Sequence, residues 1–325
     1  MPSDKRIALG VDLGGTTFAA GALDADGTLL HSASYKTPRT DDPGLILNQL
    51  AARTREAAQA TPGEAVGLGI GIPGVVDPET GRISICPNLP ALDGTDAGPI
   101  LSELLEMPVF LANDAFCATL AELRWGAGRE AHNMLLLTLG TGIGGGVALD
   151  NRVIRGPRQL IGEIGHTIVK ADGPPCGCGN HGCLEALAGR TPIINLAISK
   201  IQSGRETLLL TLCEGDLKRI DPRMIAAAAQ QGDDLALEVM AQVGEWIGLG
   251  ICTGIVFVDP DLVVLGGGIA AAGDVLFGPI RRTVAARSQI SRGKFHPSNI
   301  VPAQLGNDAG LYGAAQLVWE RLHNG

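Results

Sequence analysis

A short glycine-rich pattern occurs twice, near the start and near the middle of the chain. Each copy lies between two apolar runs and contains threonine beside its glycines. The first copy comprises Asp12, Leu13, Gly14, Gly15, Thr16 and Thr17, and the second comprises Gly140, Thr141, Gly142, Ile143, Gly144, Gly145 and Gly146. A strand, a glycine turn and a return strand repeated in both halves predict a duplicated α/β lobe with a cleft between the copies.

The elements around the two turns follow a similar order in each half. We expect strands at residues 7–12, 17–24, 29–37, 65–72, 109–112, 133–140, 145–150, 262–265 and 300–303, and helices at residues 45–60, 99–105, 115–125, 235–256, 275–287 and 309–322. The lobe boundary should fall near residues 126–132. The sequence therefore predicts a smaller first lobe at residues 1–126, completed by a C-terminal helix at 306–325, and a larger second lobe at 127–305.

Composition agrees with parallel strands covered by helices. The chain has 325 residues, of which 45% are hydrophobic and only 3% aromatic, so its cores must consist of Val, Ile, Leu and Ala. The net charge of −9 argues against a nucleic-acid partner, because phosphate backbones are bound by clustered Lys and Arg.

Cysteine usage and the apolar runs indicate a cytoplasmic protein. Lys5 and Arg6 are followed at once by a short strand-like run, so we expect no secretory signal. The uncharged stretch at residues 246–258 is too short to span a bilayer, and we interpret it as part of a buried helix. Seven cysteines in a reducing compartment suggest metal ligands before disulfides.

The glycine turns are candidates for phosphate binding. A turn that presents backbone N–H groups to a phosphate needs glycine, because a Cβ would block the approach. Thr16, Thr17 and Thr141 would add hydroxyl donors, and Asp12 is suited to hold Mg²⁺ through water. Each turn alone is also compatible with an ordinary β-turn. A third glycine cluster at residues 266–268 fits neither a P-loop nor a dinucleotide fingerprint.

Asn113 and Asp114 follow an apolar strand and precede a helix. Asp114 there is either a helix N-cap or a general base, and one aspartate is able to do both. Phosphoryl transfer to an alcohol needs a carboxylate that accepts the hydroxyl proton.

A loop rich in cysteine, histidine and glycine occupies residues 162–189. Cys176, Cys178 and Cys183 lie within eight residues, and a histidine would complete a closed tetrahedral zinc site of structural type. Both His166 and His181 are available. Glu163 and Glu185 bracket the cysteines and are either solvated acids or partners for sugar hydroxyls.

These motifs together resemble the ROK family of sugar kinases and related repressors, in the actin-like, hexokinase-like ATPase superfamily. The resemblance covers essentially the whole chain, and its most specific part is the combination of Glu163, His166, the three cysteines and Glu185. It implies two actin-like, ribonuclease H-like lobes, ATP as co-substrate with Mg²⁺, and Asp114 as catalytic base. It also implies His166 rather than His181 as the zinc ligand, because the zinc-bound histidine of such proteins also touches the sugar.

The resemblance further implies two sets of binding residues. The implied sugar contacts are Gly74, Asn88, Asn113, Asp114, Glu163, His166 and Glu185. The implied nucleotide contacts are Gly14, Gly15, Thr16, Thr141, Gly142, Gly267 and Gly310, to which Asp12 and Thr17 are added from the turn chemistry.

The expected activity is ATP-dependent phosphorylation of a hexose at the 6-hydroxyl, with D-glucose first and another hexose or an N-acylated hexosamine as the alternative. A non-catalytic sugar sensor is the other alternative, and Asp114 argues against it. Many relatives carry a basic or polar residue where this chain has Thr17 and Phe18, which affects contacts to the terminal phosphate. Repressors of the family have a DNA-binding domain ahead of the first turn, whereas eleven residues precede Asp12 here, so we expect no DNA binding. By analogy with the family we expect a homodimer or a higher homo-oligomer.

Overall fold

The computed structural model describes residues 6–324, which form two compact units. The first unit contains the chain up to Arg129 and the segment from Leu305 onward, and the second contains Glu130–Gln304. The sequence predicts these borders after residues 126 and 305. Residues 1–5 and 325 of the expected first lobe lie outside the described residues.

The first unit is a mixed sheet covered by helices. Up to residue 129 its elements are β1 (Arg6–Leu13), β2 (Thr17–Asp24), β3 (Leu29–Lys36), α1 (Pro43–Gln59), β4 (Glu64–Ile72), β5 (Val75–Asp77), β6 (Arg82–Ile85), α2 (Ala97–Leu105), β7 (Val109–Asn113) and α3 (Asp114–Arg124). The five-stranded sheet has the order β3-β2-β1-β4-β7, and β5 pairs with β6 in a separate hairpin.

The second unit contains a second five-stranded sheet and most of the helices. Its elements are β8 (Met134–Leu139), β9 (Ile143–Leu149), β10 (Arg152–Val153), α4 (Leu184–Ala188), α5 (Arg190–Gln202), α6 (Leu209–Leu212), α7 (Pro222–Gln230), α8 (Asp234–Val258), β11 (Leu262–Gly266), α9 (Asp274–Arg287) and β12 (Ile300–Pro302). The chain then returns to the first unit as α10 (Ala309–Asn324).

The two sheets have the same strand order and the same strand directions. In the first, β1 is antiparallel to β2 and parallel to β4, which is parallel to β7. In the second, β8 is antiparallel to β9 and parallel to β11, which is parallel to β12. The repeated glycine turn occupies the same place in each sheet, between the first strand and its antiparallel neighbour. The duplication predicted from the sequence is therefore present in the fold.

Alternation along β1 places different residues on the two faces of the first sheet. Ile7, Leu9 and Val11 are buried in the core that also contains residues of α1 and α2. Ala8 packs with Val318 of α10 on the opposite face. Because the period is two, Asp12 falls on the α10 face, at the carboxyl end of β1.

Glycines let α10 approach the backbone of the first sheet. A Cβ atom at position 69 in β4 would collide with the carbonyl of Ala314, and one at position 10 in β1 would lie 2.7 Å from the carbonyl oxygen of Leu311. The close approach fixes the start of α10 beside the end of β1, which positions Gly310 next to Asp12.

The helix α8 has the length and the apolar composition that would allow it to cross a membrane. This differs from the sequence expectation, which considered only its uncharged half. The helix packs instead in the core of the second unit, where Leu235, Val239, Val243 and Ile251 are fully buried. Its contacts with α9, α7, α5 and α4 make it the central helix of that unit.

One buried carboxylate of the first unit hydrogen-bonds to the two segments of that unit at which the chain leaves it and returns to it. Glu122 of α3 is fully buried, and its two oxygens accept backbone N–H groups of Ala127 and Leu305, each at 2.8 Å. These N–H groups immediately precede and follow the unit boundary in sequence. The side chain therefore holds the two connections at fixed positions on α3.

We expect Glu122→Ala to lower the free energy of unfolding by about 2–5 kcal/mol, because two N–H groups lose their acceptor at a buried site. Urea denaturation would measure the change. Glu103→Ala is the matched control, since Glu103 is an exposed glutamate on α2 and should cost less than about 0.5 kcal/mol. Equal effects of the two substitutions would contradict the role of Glu122.

Candidate functional site

The side chains of His166, Cys176, Cys178 and Cys183 converge in the second unit. Their ligand atoms all lie within 4.8 Å of one another. His166 Nδ1 is 3.7 Å from Cys176 Sγ, and Cys178 Sγ is 3.7 Å from Cys183 Sγ. A tetrahedral zinc ion with bonds of about 2.0–2.3 Å would separate its ligand atoms by about 3.5–3.8 Å. The spacing fits zinc, and it is far longer than the S–S bond of a disulfide.

The protonation chemistry of the thiols also favours a cation. Burial, followed by the neighbouring Cys178 and Cys176, raises the pKa of Cys183 to about 12. The pKa of Cys178 is lowered, chiefly by the backbone N–H of Asn180. Three thiols packed together do not all ionise without a compensating positive charge, and a bound divalent cation supplies that charge.

His166 is the histidine that joins the thiols. It ends a short 3-10 turn at Ile164–His166, and its Nε2 lies 3.8 Å from a carboxylate oxygen of Glu163. The spacing of the sequence alone also allowed His181, whose backbone instead pairs with Pro175 in an isolated β-bridge. Within residues 6–324, the cluster contains His166 and not His181.

Glu185 connects the cysteine loop to the second glycine turn, residues 140–142. It lies in the first turn of α4, two residues after Cys183, and is half-buried. Its Oε2 accepts the backbone N–H of Ile143 at 2.9 Å. A side chain at Gly142 would collide with the same carboxylate. One of the two expected sugar-binding acids is thus in contact with an expected nucleotide-binding turn.

The third glycine cluster lies beside the second turn. The N–H of Ile269 donates to the carbonyl of Leu139 at 3.0 Å. Gly267 has a φ of +84°, and a Cβ atom there would collide with the Leu139 backbone. Thr141 is exposed. The second unit therefore brings Thr141, Gly142 and Gly267 to one edge of its sheet, where β8 and β11 both end.

Asn113, not Asp114, is the N-cap of α3. Its Oδ1 accepts the N–H groups of Ala115 at 2.9 Å and Phe116 at 3.3 Å. Its Nδ2 donates to the carbonyl of Gly74 at 3.0 Å. Asp114 is the first helical residue. Of the two roles that the sequence left open for Asp114, the N-cap is therefore wrong, since the cap is its neighbour.

The cap also changes what Asn113 is able to offer a ligand. Both lone pairs of its Oδ1 are used by the helix, so this side chain contributes one remaining N–H donor and no acceptor. The expected contact of Asn113 with a sugar is therefore limited to donation from its amide nitrogen.

Asp12 and Asp114 form a pair of carboxylates in the first unit. Asp12 is the half-buried next-to-last residue of β1, and Asp114 follows β7, with β4 between them in the sheet. Burial and the charge of Asp114 together raise the pKa of Asp12 to about 6. Any side chain at Gly310 would collide with the Asp12 carboxylate. The pair leaves Asp12 partly protonated at slightly acid pH in the absence of a cation.

The first glycine turn, residues 14–16, is fixed by hydrogen bonds to a threonine that sequence reasoning missed. Gly14 N–H donates to the carbonyl of Thr17 at 3.0 Å, and the N–H of Thr37 donates to the carbonyl of Thr16 at 2.9 Å. The hydroxyl of Thr37 donates to the carbonyl of Gly14 at 2.7 Å. A threonine just after a strand carries no distinguishing signal, so only the fold identifies it.

Gly15 brings the first turn against Asn88. A Cβ at position 15 would lie 2.9 Å from the Asn88 Cβ and 3.0 Å from its carbonyl oxygen. Asn88 is exposed and lies between β6 and α2. In this unit too, an expected sugar contact touches the glycine turn.

The chain is similar to known proteins over almost its whole length. The sequence profile of the ROK family matches residues 8–321. A glucokinase of Thermotoga maritima is 35% identical over 322 residues, which covers 99% of each chain. Solved structures of similar chains include a ROK family glucokinase from Streptomyces griseus in complex with glucose and AMPPNP, with 32% identity, a TM-score of 0.82 and coverage of 97% of this chain and 99% of that one. A ROK hexokinase from Thermus thermophilus has 34% identity, a TM-score of 0.81 and coverage of 98% and 100%.

Other relatives carry different names. An N-acetylmannosamine kinase of Shigella boydii is 31% identical over 310 residues, covering 95% of this chain and 97% of that one. A xylose repressor of Caldicellulosiruptor bescii is 27% identical over 273 residues, covering 84% of this chain and 67% of that one. Sequence similarity alone is therefore compatible with several sugar substrates, and with a regulator as well as with an enzyme.

Proposed function

The chain belongs to the ROK family, in the actin-like ATPase superfamily, and we propose that it is an ATP-dependent hexose kinase whose preferred substrate is D-glucose. The reaction transfers the γ-phosphoryl group of ATP to the 6-hydroxyl of the sugar. Its products are ADP and hexose 6-phosphate, and the hydroxyl proton leaves through a base on the protein.

The observation that carries this proposal is the carboxylate pair of Asp12 and Asp114. Two neighbouring carboxylates in different environments are suited to different tasks, one holding a cation and the other accepting a proton. Burial and the charge of Asp114 raise the pKa of Asp12 to about 6, and a cation bound beside the pair would favour the charged form of both carboxylates. A carboxylate that accepts the hydroxyl proton has a role in phosphoryl transfer, which favours the kinase over a non-catalytic sensor.

Asp114 is assigned as the general base. It accepts the proton of the 6-hydroxyl as the oxygen attacks phosphorus, and Asn113 keeps its helix capped whatever the protonation state of Asp114. Asp12 is assigned to hold Mg²⁺ through water, and the ion would neutralise charge on the transferred phosphate.

The nucleotide is assigned to the two glycine turns and their neighbours. Their N–H groups and hydroxyls are hydrogen-bond donors suited to phosphate oxygens. The assigned residues are Gly14, Gly15, Thr16, Thr17, Thr141, Gly142, Gly267 and Gly310.

The sugar is assigned mainly to the acids of the cysteine loop. Glu163 and the free Oε1 side of Glu185 are acceptors for hydroxyl donors, and His166 Nε2 points away from the thiols toward Glu163. Asn88, Asn113 and the Gly74 backbone are assigned from the first unit. Charge-assisted hydrogen bonds of this type are strong and selective.

Zinc, when bound by His166, Cys176, Cys178 and Cys183, contributes folding energy to this loop and has no open position for chemistry. Its role in the proposal is to hold His166 and the segment that leads to Glu185 in one arrangement.

We expect D-glucose to be phosphorylated about 10–100-fold more efficiently than N-acetylglucosamine or N-acetylmannosamine. Two carboxylates favour a sugar with a hydroxyl donor at every position, and a mismatch of this kind costs about 1–3 kcal/mol. The measurement is kcat/KM for the three sugars at saturating ATP and Mg²⁺, by coupled detection of ADP.

A higher kcat/KM for an N-acetylhexosamine would replace glucose by that sugar and leave the assignment of Asp114 intact. Sugar binding by calorimetry without turnover of any sugar would instead identify a sensor and refute the kinase proposal.

A further inference from the structure

The second glycine turn is held from the side of the cysteine loop. Besides the bond from Ile143 to Glu185, the N–H of Arg190 lies 3.2 Å from the carbonyl of Gly140 and 3.3 Å from that of Thr141. The Glu185 carboxylate and the Arg190 N–H both belong to the segment that follows Cys183, the last cysteine of the cluster. Among the described residues, the hydrogen bonds that join residues 140–143 to the segment after the last cysteine therefore involve only Glu185 and Arg190.

Ile143 lies between two segments that are assigned to the sugar. Its N–H donates to Glu185, and its carbonyl packs so closely against Gly165 that no side chain fits there. Gly165 directly precedes His166. Ile143 itself is 2% exposed, so its N–H needs a partner within the protein. If the segment of Glu185 or the segment of Gly165 and His166 moves, the position or the hydrogen bonding of Ile143 must therefore change.

The other carboxylate oxygen of Glu185 is available for a ligand. Among the hydrogen bonds of the described residues, Glu185 uses only Oε2. The backbone of this residue is rigidly placed, because Leu184 is fully buried and donates its N–H to Thr167 at 3.0 Å, and Gly189 donates to the Glu185 carbonyl at 2.9 Å. A fixed backbone leaves the carboxylate as the part that responds to a ligand.

We propose that Glu185 is a positioning residue that couples sugar binding to nucleotide binding within the second unit. One oxygen accepts a sugar hydroxyl and the other orders the glycine turn that receives the phosphates, so each substrate increases affinity for the other. The inference rests on the proposed function for the identity of the two ligands. Such a coupling is reciprocal, and couplings of this kind typically change affinity by a factor of about 5 or more.

The first unit has a corresponding contact, between Gly15 of its glycine turn and Asn88. That contact involves backbone and Cβ packing without a charged bond. The stronger coupling is therefore expected from Glu185.

Calorimetric titration with AMPPNP and Mg²⁺, with and without saturating glucose, tests the coupling. In the unmodified protein glucose should lower the Kd for the nucleotide about fivefold or more. In Glu185→Gln the ratio of the nucleotide Kd without glucose to that with glucose should fall to about one. A neutral amide accepts the Ile143 N–H only weakly, and its side chain is free to turn the NH₂ group toward that N–H. Glu163→Gln is the matched variant: it removes the charge of the other assigned sugar acid, which makes no described contact with the turn. It should weaken glucose binding but keep the ratio at saturating glucose.

A ratio in Glu185→Gln equal to that of the unmodified protein would overturn the inference, as would an equal loss in Glu163→Gln. Independent binding of glucose and nucleotide to the unmodified protein would overturn the inference alone, whereas absence of glucose binding would overturn the proposed function with it. Amide hydrogen exchange gives a second test that needs no variant. Glucose alone should slow exchange at the Ile143 amide several-fold, and an unchanged rate contradicts the coupling.

Discussion

Asp114→Asn is expected to lower kcat by about 10²–10⁴-fold while the Kd for glucose changes little. Asparagine has the size of aspartate but does not accept a proton usefully at neutral pH. The fold should survive, because the side-chain cap of α3 belongs to Asn113 and its two N–H bonds remain. Steady-state kinetics and calorimetry on the same preparation measure both quantities.

Asp42→Asn is the matched control for this substitution. Asp42 caps α1 by accepting the N–H of Gly44 at 2.8 Å, so the same chemical change is made at the start of another helix of the same unit. It should leave kcat unchanged. A near-normal kcat in Asp114→Asn would show that another group is the base.

The second large effect is expected from Cys178→Ser. The protein should contain one zinc ion per chain, and loss of one thiolate leaves three ligands and a poorly ordered loop. The Kd for glucose should rise about 10–100-fold, because losing one charge-assisted hydrogen bond costs about 1.5–3 kcal/mol. Nucleotide binding measured alone should change little in comparison, because neither Glu185 nor Ile143, which hydrogen-bond beside the glycine turn, belongs to the metal cluster.

Cys252→Ser provides the comparison for the cysteine change. Cys252 is half-buried on α8 and does not belong to the cluster, so it should affect neither zinc content nor glucose affinity. Elemental analysis of protein purified without chelators tests the metal directly. Protein without zinc that still binds glucose normally would contradict the structural role assigned to the cluster.

The duplicated architecture was readable from the sequence because it depends on local patterns. Alternation and apolar runs located the strands, and the two glycine turns marked equivalent hairpins in the two sheets. The helices within residues 184–230 were not predicted, although Asp221 and Pro222 form a normal N-cap and first-turn pair at the start of α7.

The chemistry of individual site residues was less predictable, because it depends on contacts distant in sequence. Asn113 and Asp114 are both good capping residues, and only the backbone shows that the first of them caps the helix. The contact of Glu185 with Ile143 joins residues 42 positions apart, and no periodic pattern in the sequence predicts it. The raised pKa of Asp12 likewise arises from burial and from Asp114, which adjoins a different strand.

The most direct test of the proposed reaction is the stoichiometry of its products. Purified protein with ATP, Mg²⁺ and D-glucose should form ADP and glucose 6-phosphate in equal amounts, measured together by ³¹P NMR, and ADP should not accumulate without sugar. ADP formation that does not depend on any sugar, or no sugar phosphate from glucose or the two N-acetylhexosamines, would contradict the assignment as a hexose kinase.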